Sequence, residues 1–487
     1  MKQYLFSFLL LCSGFISSGQ GVVTIKGLIK NAASDSIFIS FNNSRLIYEP
    51  VEYKVLLDEG KFEYTFKVKE DYTPVMITHG RFKADLLLQP GDDLQLIATI
   101  VDTTWTLAYK GIGSDRANYL AKHAAEMGLM DAYPGKMQPL LTKDANVFVA
   151  KMDVEEKKEL LYIDRNTEGV TADFIRYLQE YYRYFTYFCR FQYPFLHEVA
   201  GNKSYNFSKI PKVNYEAVKG IPPVFNDSFI SMVPYRLYAD QYYRMQLEVA
   251  GYFNDSAHAY QMQDSVTVLA LKKMPPTTAE YVIALHLYAN VRTIPTAMAE
   301  GRMADFKKRW PSSPYKKDLE AQYGIAKRLD VGQKAFDFTF TTPQGKTGKL
   351  SDFRGKVVLL GFWTSEYAQN ISEMRAAAQM ANKYKDKDIV FLYVSLDATD
   401  PPWIATIEKL KLMGIHTRED GSWKSFLAQI YGVQNLPSFF LIDRDGRFAL
   451  KKTPYPSQSA LMVATADELL ARMYIPKEKD KGKEKQK

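Results

Sequence analysis

Two short runs, Val357–Phe362 and Ile389–Val394, carry no charged residue and are built from apolar and aromatic side chains around Gly361. A strand with one face in water alternates between polar and apolar residues. An uninterrupted run of this length therefore predicts a strand covered on both faces. Between the two runs, residues from about Glu366 to Tyr384 follow a helical period. A strand is expected at Phe336–Thr341 before the first run. After the second come helices near Trp403–Met413 and Trp423–Tyr431, then a strand at Phe439–Ile442. Asp443-Arg444-Asp445-Gly446 reads as a hairpin turn into Phe448–Lys451, and a last helix covers Ser457–Met473. Strands that alternate with helices around fully apolar central strands dictate an α/β layer structure for residues 331–475.

The upstream chain has a different period. From Val22 to about Tyr109 the apolar positions alternate, as in Ile37/Ile39/Phe41, Phe62/Tyr64/Phe66 and Leu94/Leu96/Ala98, with turns at Asp58-Glu59-Gly60 and Pro90-Gly91-Asp92. This predicts a small antiparallel β-sandwich over residues 20–112. From 113 to 330 the period becomes helical. Phe174, Tyr177, Leu178, Tyr181, Phe185 and Phe188 fall on one helix face, and further helices are expected at Asp240–Tyr252, Thr277–Val291 and Asp318–Leu329. Aromatics at helical spacing are core-forming rather than a ligand box. Cys189, at the end of that run, reads as a small buried apolar residue. The expectation is a multidomain chain: β-sandwich, middle all-α domain, and C-terminal α/β domain.

The two ends carry address rather than fold. Residues 1–19 have Lys2, an apolar run from Tyr4 to Leu11 and small residues at Ser17, Ser18 and Gly19, the layout of a secretory signal peptide. The run is too short for a transmembrane helix, and no later segment is long and uncharged enough for one. Periplasmic localisation follows as the expectation, with a lipoprotein acylated at Cys12 as the alternative, against which the bulky Leu11 speaks. Residues 476–487 form a Lys-rich tail expected to be disordered. Lys477 to Lys487 supply six Lys against three acids, +3 of the net +8, so no basic stripe remains for nucleic acid. The only cysteines are Cys12 and Cys189, which excludes an internal disulfide once the signal peptide is removed.

Three segments in order, "VGQKAFDFTF", "LSDFRGKVVLLGFWTS" and "YGVQNLPSFFLIDRDGRF", make the last region resemble the thioredoxin superfamily in its exported TlpA/ResA-like branch. "GKFEYTF" and "LLLQPGDDLQL" are similar to the β domain that precedes many exported thioredoxin-like proteins. The resemblance implies a thioredoxin-like domain related to thiol-disulfide oxidoreductases. In that family the strand ending Phe-Trp opens into a helix that begins with Cys-x-x-Cys. Here Tyr367 and Asn370 stand in the two cysteine positions. A thiol at a helix N-terminus becomes a thiolate that attacks a disulfide, and the second thiol resolves the product. A phenol, with a reference pKa near 10, and a neutral amide can do neither. Dithiol exchange at this site is excluded by composition.

The same resemblance makes Pro437 the family's cis-proline and Leu436 the residue that offers backbone groups to an extended peptide. The candidate binding residues are Trp363, Glu366, Tyr367, Asn370, Leu436 and Pro437, with no catalytic residue, metal or cofactor assigned. The six histidines, at 79, 123, 197, 258, 286 and 416, lack paired ligand spacing, and His416 reads as a surface loop residue. Gly111-Ile112-Gly113-Ser114 lacks the Gly-Lys of a phosphate loop and reads as a strand-to-helix connection. No Gly-x-Ser-x-Gly elbow is present. The expected function is a redox-inactive binding or scaffold protein of the cell envelope, with a peptide or protein ligand. The alternative is an enzyme using non-thiol chemistry at the altered site.

Overall fold

The computed structural model describes residues 21–472, except 43, 48, 102–103, 201–209 and 252–258. The signal peptide at 1–19, with Cys12, and the Lys-rich tail at 476–487 lie outside the described residues. The chain packs as two compact units that divide between Leu285 and His286.

Among the described residues of the first unit, eight strands form two four-stranded sheets. They are β1 (Val22–Lys30), β2 (Ser36–Asn42), β3 (Pro50–Leu56), β4 (Lys61–Lys67), β5 (Thr73–His79), β6 (Phe82–Leu88), β7 (Asp93–Val101) and β8 (Thr104–Ile112). One sheet has the order β4-β1-β7-β8 and the other β3-β2-β5-β6. Alternation decides the faces: Leu94, Leu96 and Ala98 of β7 are buried, and so are Phe62 and Phe66 of β4 between exposed Lys61, Glu63 and Thr65. Inward residues of both sheets share one core. The sheets are not purely antiparallel as expected. β1 pairs in parallel with β7, Ile25 opposite Leu94. The long stretch of chain between these strands supplies the crossover that a parallel pair requires.

The helical part of this unit comprises α1 (Ser114–Met127), α2 (Ala145–Arg165), α3 (Ala172–Ala200), α4 (Val233–Val249), α5 (Ala259–Lys273) and the start of α6 (Pro276–Asn290). The Gly-Ile-Gly-Ser segment joins β8 to α1, as read from the sequence. Gly113 there has φ 90°, and a Cβ would lie 2.6 Å from the Asp92 carboxylate. The aromatic face of α3 is core: Phe174, Tyr177, Leu178 and Phe185 are buried, while Tyr181 and Phe188 are half-buried.

The second unit holds α7 (Thr296–Arg309), α8 (Lys316–Arg328), β9 (Thr339–Thr341), β10 (Thr347–Lys349), β11 (Val357–Trp363), α9 (Ala368–Lys383), β12 (Ile389–Ser395), α10 (Asp400–Leu410), β13 (Ile415–Arg418), the short α11 (Phe426–Ile430), β14 (Ser438–Ile442) and α12 (Ala460–Ala471). The two apolar runs are the central strands, in the order β13-β12-β11-β14. β12 pairs in parallel with β11 and β13, and β14 is antiparallel to β11. All seven residues of β11 are buried. Val358, Leu360 and Phe362 face one core with Leu329, Leu392 and Tyr431; Val357, Leu359 and Trp363 face the other with Met374, Ala377 and Met462. This is the thioredoxin-like domain the sequence resembles, in α/β layers.

Two expected strands shrink. Of Phe336–Thr341 only Thr339–Thr341 pairs, and Phe448–Lys451 makes a single bridge, Ile442 to Phe448. The sequence boundary at 330/331 also differs from the packing, because α7 and α8 lie within the second unit. Lys451 bonds Thr296 at 2.5 Å and Asp330 at 3.4 Å, and Ile325 and Leu329 pack into the sheet's core. Among the described residues no helix is long and apolar enough to cross a membrane.

Candidate functional site at the start of helix α9

Parallel pairing sets the carboxyl ends of β11 and β12 side by side, Trp363 opposite Ser395. Open α/β sheets bind ligands at such ends. The chain leaves β11 through Thr364, Ser365 and Glu366 and enters α9 with extended Tyr367 as its cap, φ −111°. The Tyr367 side chain makes no capping bond there and is 52% exposed. Asn370, one turn later, is 1% exposed. The exposed and buried positions of the helix start thus belong to a phenol and an amide.

The loop is held by side-chain bonds. The Thr364 N–H donates to Asn370 Oδ1 at 3.1 Å, which fixes the orientation of the amide. The Nδ2 group of Asn370 is buried and has no hydrogen-bond partner among the described residues. Beneath the loop lies Asp397, 2% exposed, just past the end of β12. Its Oδ1 accepts from the Thr364 hydroxyl at 2.9 Å, the Ser365 hydroxyl at 2.7 Å and the Ser365 N–H at 3.0 Å. Its Oδ2 accepts from the Ser395 hydroxyl at 2.6 Å and, more weakly placed, the same Ser365 N–H at 3.1 Å. A carboxylate offers about four acceptor directions. Asp397 is therefore saturated by the protein, which suits a clamp and leaves little capacity for a general base.

Antiparallel pairing with β14 sets Ser438 opposite Phe362, so Pro437 falls opposite Trp363 at the same end of the sheet. The Leu436–Pro437 bond is cis, Pro437 is buried and Leu436 half-buried. The loop before it is braced within the second unit. Arg292 donates to the Gly432 carbonyl at 2.5 Å, and Gln434 exchanges bonds with Gln322 at 3.2 and 3.3 Å.

The six sequence-derived residues separate by exposure. Tyr367 and Glu366 are exposed and Leu436 is partly so, which leaves them available at the surface. Trp363 is fully buried in the core with Met374 and Tyr393, and Asn370 and Pro437 are buried too, so these three shape the site from below. Asp397, Thr364, Ser365 and Ser395 were not singled out from the sequence. The available signal was a carboxylate three residues beyond the all-apolar run Ile389–Val394.

Two other side chains bear on chemistry. Cys189 is fully buried, and burial pushes its thiol up to about 12, so it cannot present a thiolate. His416 is not a surface loop residue as expected. It lies on β13, 6% exposed, with its ring 5.1 Å from that of Tyr393 and Nε2 3.2 Å from the Leu412 carbonyl. Its neighbourhood in sequence, Gly414 and Thr417, looks polar, but β13 pairs with buried β12. Burial depresses the imidazole to about 4. The unfolded chain, near the reference 6.5, then binds the proton first as pH falls. Stability is complete above about pH 6.5 and declines toward pH 4, by about 3 kcal/mol at the lower end. Urea unfolding of the second unit across that window is expected to show this loss, and His416→Phe to flatten it. An unchanged slope in that variant would assign the acid sensitivity elsewhere.

The family described as Thioredoxin-like matches residues 355–448. The thiol-disulfide oxidoreductase ResA of Bacillus cereus (strain ATCC 10987 / NRS 248) is 31% identical over 128 residues, 26% of this chain and 72% of that protein. The ResA of Bacillus thuringiensis subsp. konkukian (strain 97-27) is 32% identical over 120 residues, 25% of this chain and 68% of that protein. The solution structure of a thiol:disulfide interchange protein from Bacteroides sp. aligns with 29% of this chain and 91% of its own, at 24% identity and a TM-score of 0.26. Through its C-terminal domain, the chain belongs to the TlpA/ResA-like family of thioredoxin-fold proteins.

Proposed function

We propose that the protein is an exported, redox-inactive member of this family that binds a peptide or protein ligand at the end of the sheet where α9 begins. The observation that carries the reading is Tyr367, a half-exposed aromatic side chain at a helix start that has no thiol within its whole domain. An aromatic anchor beside a backbone edge at Leu436 suits an extended segment, which takes affinity from main-chain bonds and specificity from side-chain contacts. The Asp397 clamp keeps the loop in one shape, so little entropy is lost when a ligand arrives. The signal-peptide layout of residues 1–19 supports export to the periplasm. The β and helical regions of the first unit would add interaction surface.

The test is a peptide-library screen with the purified protein, followed by titration of the best binder. Tyr367→Ala is expected to cost about 2 kcal/mol, roughly thirtyfold in Kd, as truncating an interface aromatic does. Equal affinity in the two proteins would remove Tyr367 from the binding surface. The enzyme reading, with non-thiol chemistry at Glu366, Tyr367 or Asn370, has less support. Asn370 is buried, the Glu366 carboxylate stands in solvent, and the carboxylate beneath the loop, Asp397, is already fully bonded.

A further inference from the structure

The first unit contains a cavity of about 580 Å³, all of whose lining residues belong to that unit. It lies between the β3-β2-β5-β6 sheet and the helices α1, α3, α4 and α6. Its size falls within the roughly 300–1,000 Å³ of pockets that enclose small molecules. Val75, Leu86, Leu120, Val233, Leu237 and Leu285 give it a mainly apolar wall.

Charge within that wall is unevenly satisfied. The wall carries Arg45, Lys67, Lys69 and Arg236 against Glu70 and Asp85, an excess of two cations. Arg45 is engaged: Nε contacts Glu70 at 2.8 Å and Nη2 donates to the Lys69 carbonyl at 2.7 Å. Lys69 and Asp85 have interactions of their own. Lys67, on β4, is exposed to solvent, whereas Arg236, on α4, is half-buried. Its Nη1 donates to the Arg45 carbonyl at 2.7 Å, and the guanidinium lies 5.8 Å from the centre of the Tyr281 ring. Among the described residues it has no carboxylate partner. A neutral carbonyl and a ring face hold the fork in place and leave its charge uncompensated beside an apolar space. A planar guanidinium with unused N–H groups matches a carboxylate in geometry and charge.

We propose that this cavity binds a single-chain amphiphile with a carboxylate head, of which a fatty acid is the simplest. The chain lies along the apolar wall and the carboxylate sits against Arg236. This site is separate from the surface at α9 and does not depend on it.

The test uses the full-length mature chain and calorimetric titration with dodecanoate, dodecanol and dodecyltrimethylammonium, all below their micelle-forming concentrations. Saturable one-to-one binding of dodecanoate is expected, with both other compounds at least tenfold weaker. Arg236→Gln keeps a donor for the Arg45 carbonyl and is expected to weaken dodecanoate at least tenfold, with circular dichroism unchanged. Leu237→Trp, which fills the cavity, is expected to abolish binding of all three. If Leu237→Trp fails to fold, Arg236→Gln and the head-group series decide alone. Absence of saturable dodecanoate binding would overturn the proposal. So would equal affinity for dodecanoate and dodecanol, or full dodecanoate affinity in Arg236→Gln.

Discussion

Replacing Tyr367 and Asn370 together by cysteine is expected to convert the protein from inert to active in insulin-disulfide reduction. The wild-type rate should equal the protein-free blank, because its only described thiol, Cys189, is buried and held protonated. In the double variant the first thiol would occupy the exposed cap position of α9 and the second the buried position one turn later. Unpaired N–H groups at a helix start lower a thiol to about 7 or below, and a large fraction would be thiolate at neutral pH. Tyr367→Cys alone should form mixed disulfides without turnover, since no resolving thiol follows. Mass spectrometry of the oxidised double variant should show the loss of two hydrogens. Wild-type turnover, or a double variant that forms no disulfide, would contradict the reading. Asn370→Cys also removes the acceptor of the Thr364 N–H, so a stability loss of about 1–3 kcal/mol is expected alongside the gain.

Asp397→Ala is expected to be the most destabilising single change near the site. It removes the acceptor for the Ser365 N–H and for the hydroxyls of Thr364, Ser365 and Ser395, all in a buried setting. Hydroxyls can turn to other acceptors, but a backbone N–H cannot. Hydrogen bonds to a charged group contribute about 1.5–3 kcal/mol each, and not additively, so a total of about 3–5 kcal/mol is expected. For a unit of this size that lowers the melting temperature by roughly 10 °C. Asp397→Asn keeps one acceptor oxygen and should cost about half as much. The ligand affinity at Tyr367 should fall in parallel, because the loop that presents it is held by this carboxylate. A melting temperature within about 2 °C of wild type in Asp397→Ala would show that the loop is held by other contacts.

Much of the second unit was legible because burial on both faces leaves a plain signature. Val357–Phe362 and Ile389–Val394 could only be central strands, and the helix between them ends within two residues of its expected limits. Exposure at the helix start was not readable, since Trp363 and Asn370 stood among the candidate binding residues beside Tyr367 and both are buried. Three features were hidden for physical reasons. The parallel β1–β7 pair depends on contacts across some seventy positions, which local alternation cannot encode. His416 sits in a polar-looking stretch whose burial is decided by the neighbouring strand. Asp397 belongs to the site only because two strand ends, far apart in the chain, finish side by side. Phe336–Thr341 and Phe448–Lys451 have strand-like composition, but most of their backbone groups find no neighbouring strand to pair with.

The brace formed by Arg292 and Gln322 has a consequence for how such a domain can be transplanted. The turn that delivers Leu436 and Pro437 takes part of its rigidity from residues that precede Val331. A fragment cut at the family boundary would keep every strand of the sheet yet release the segment facing the altered helix start. Shape at that surface is thus a loan from the preceding helices. Recombination that swapped only the thioredoxin-like portion would carry the fold across without the contacts that brace this turn.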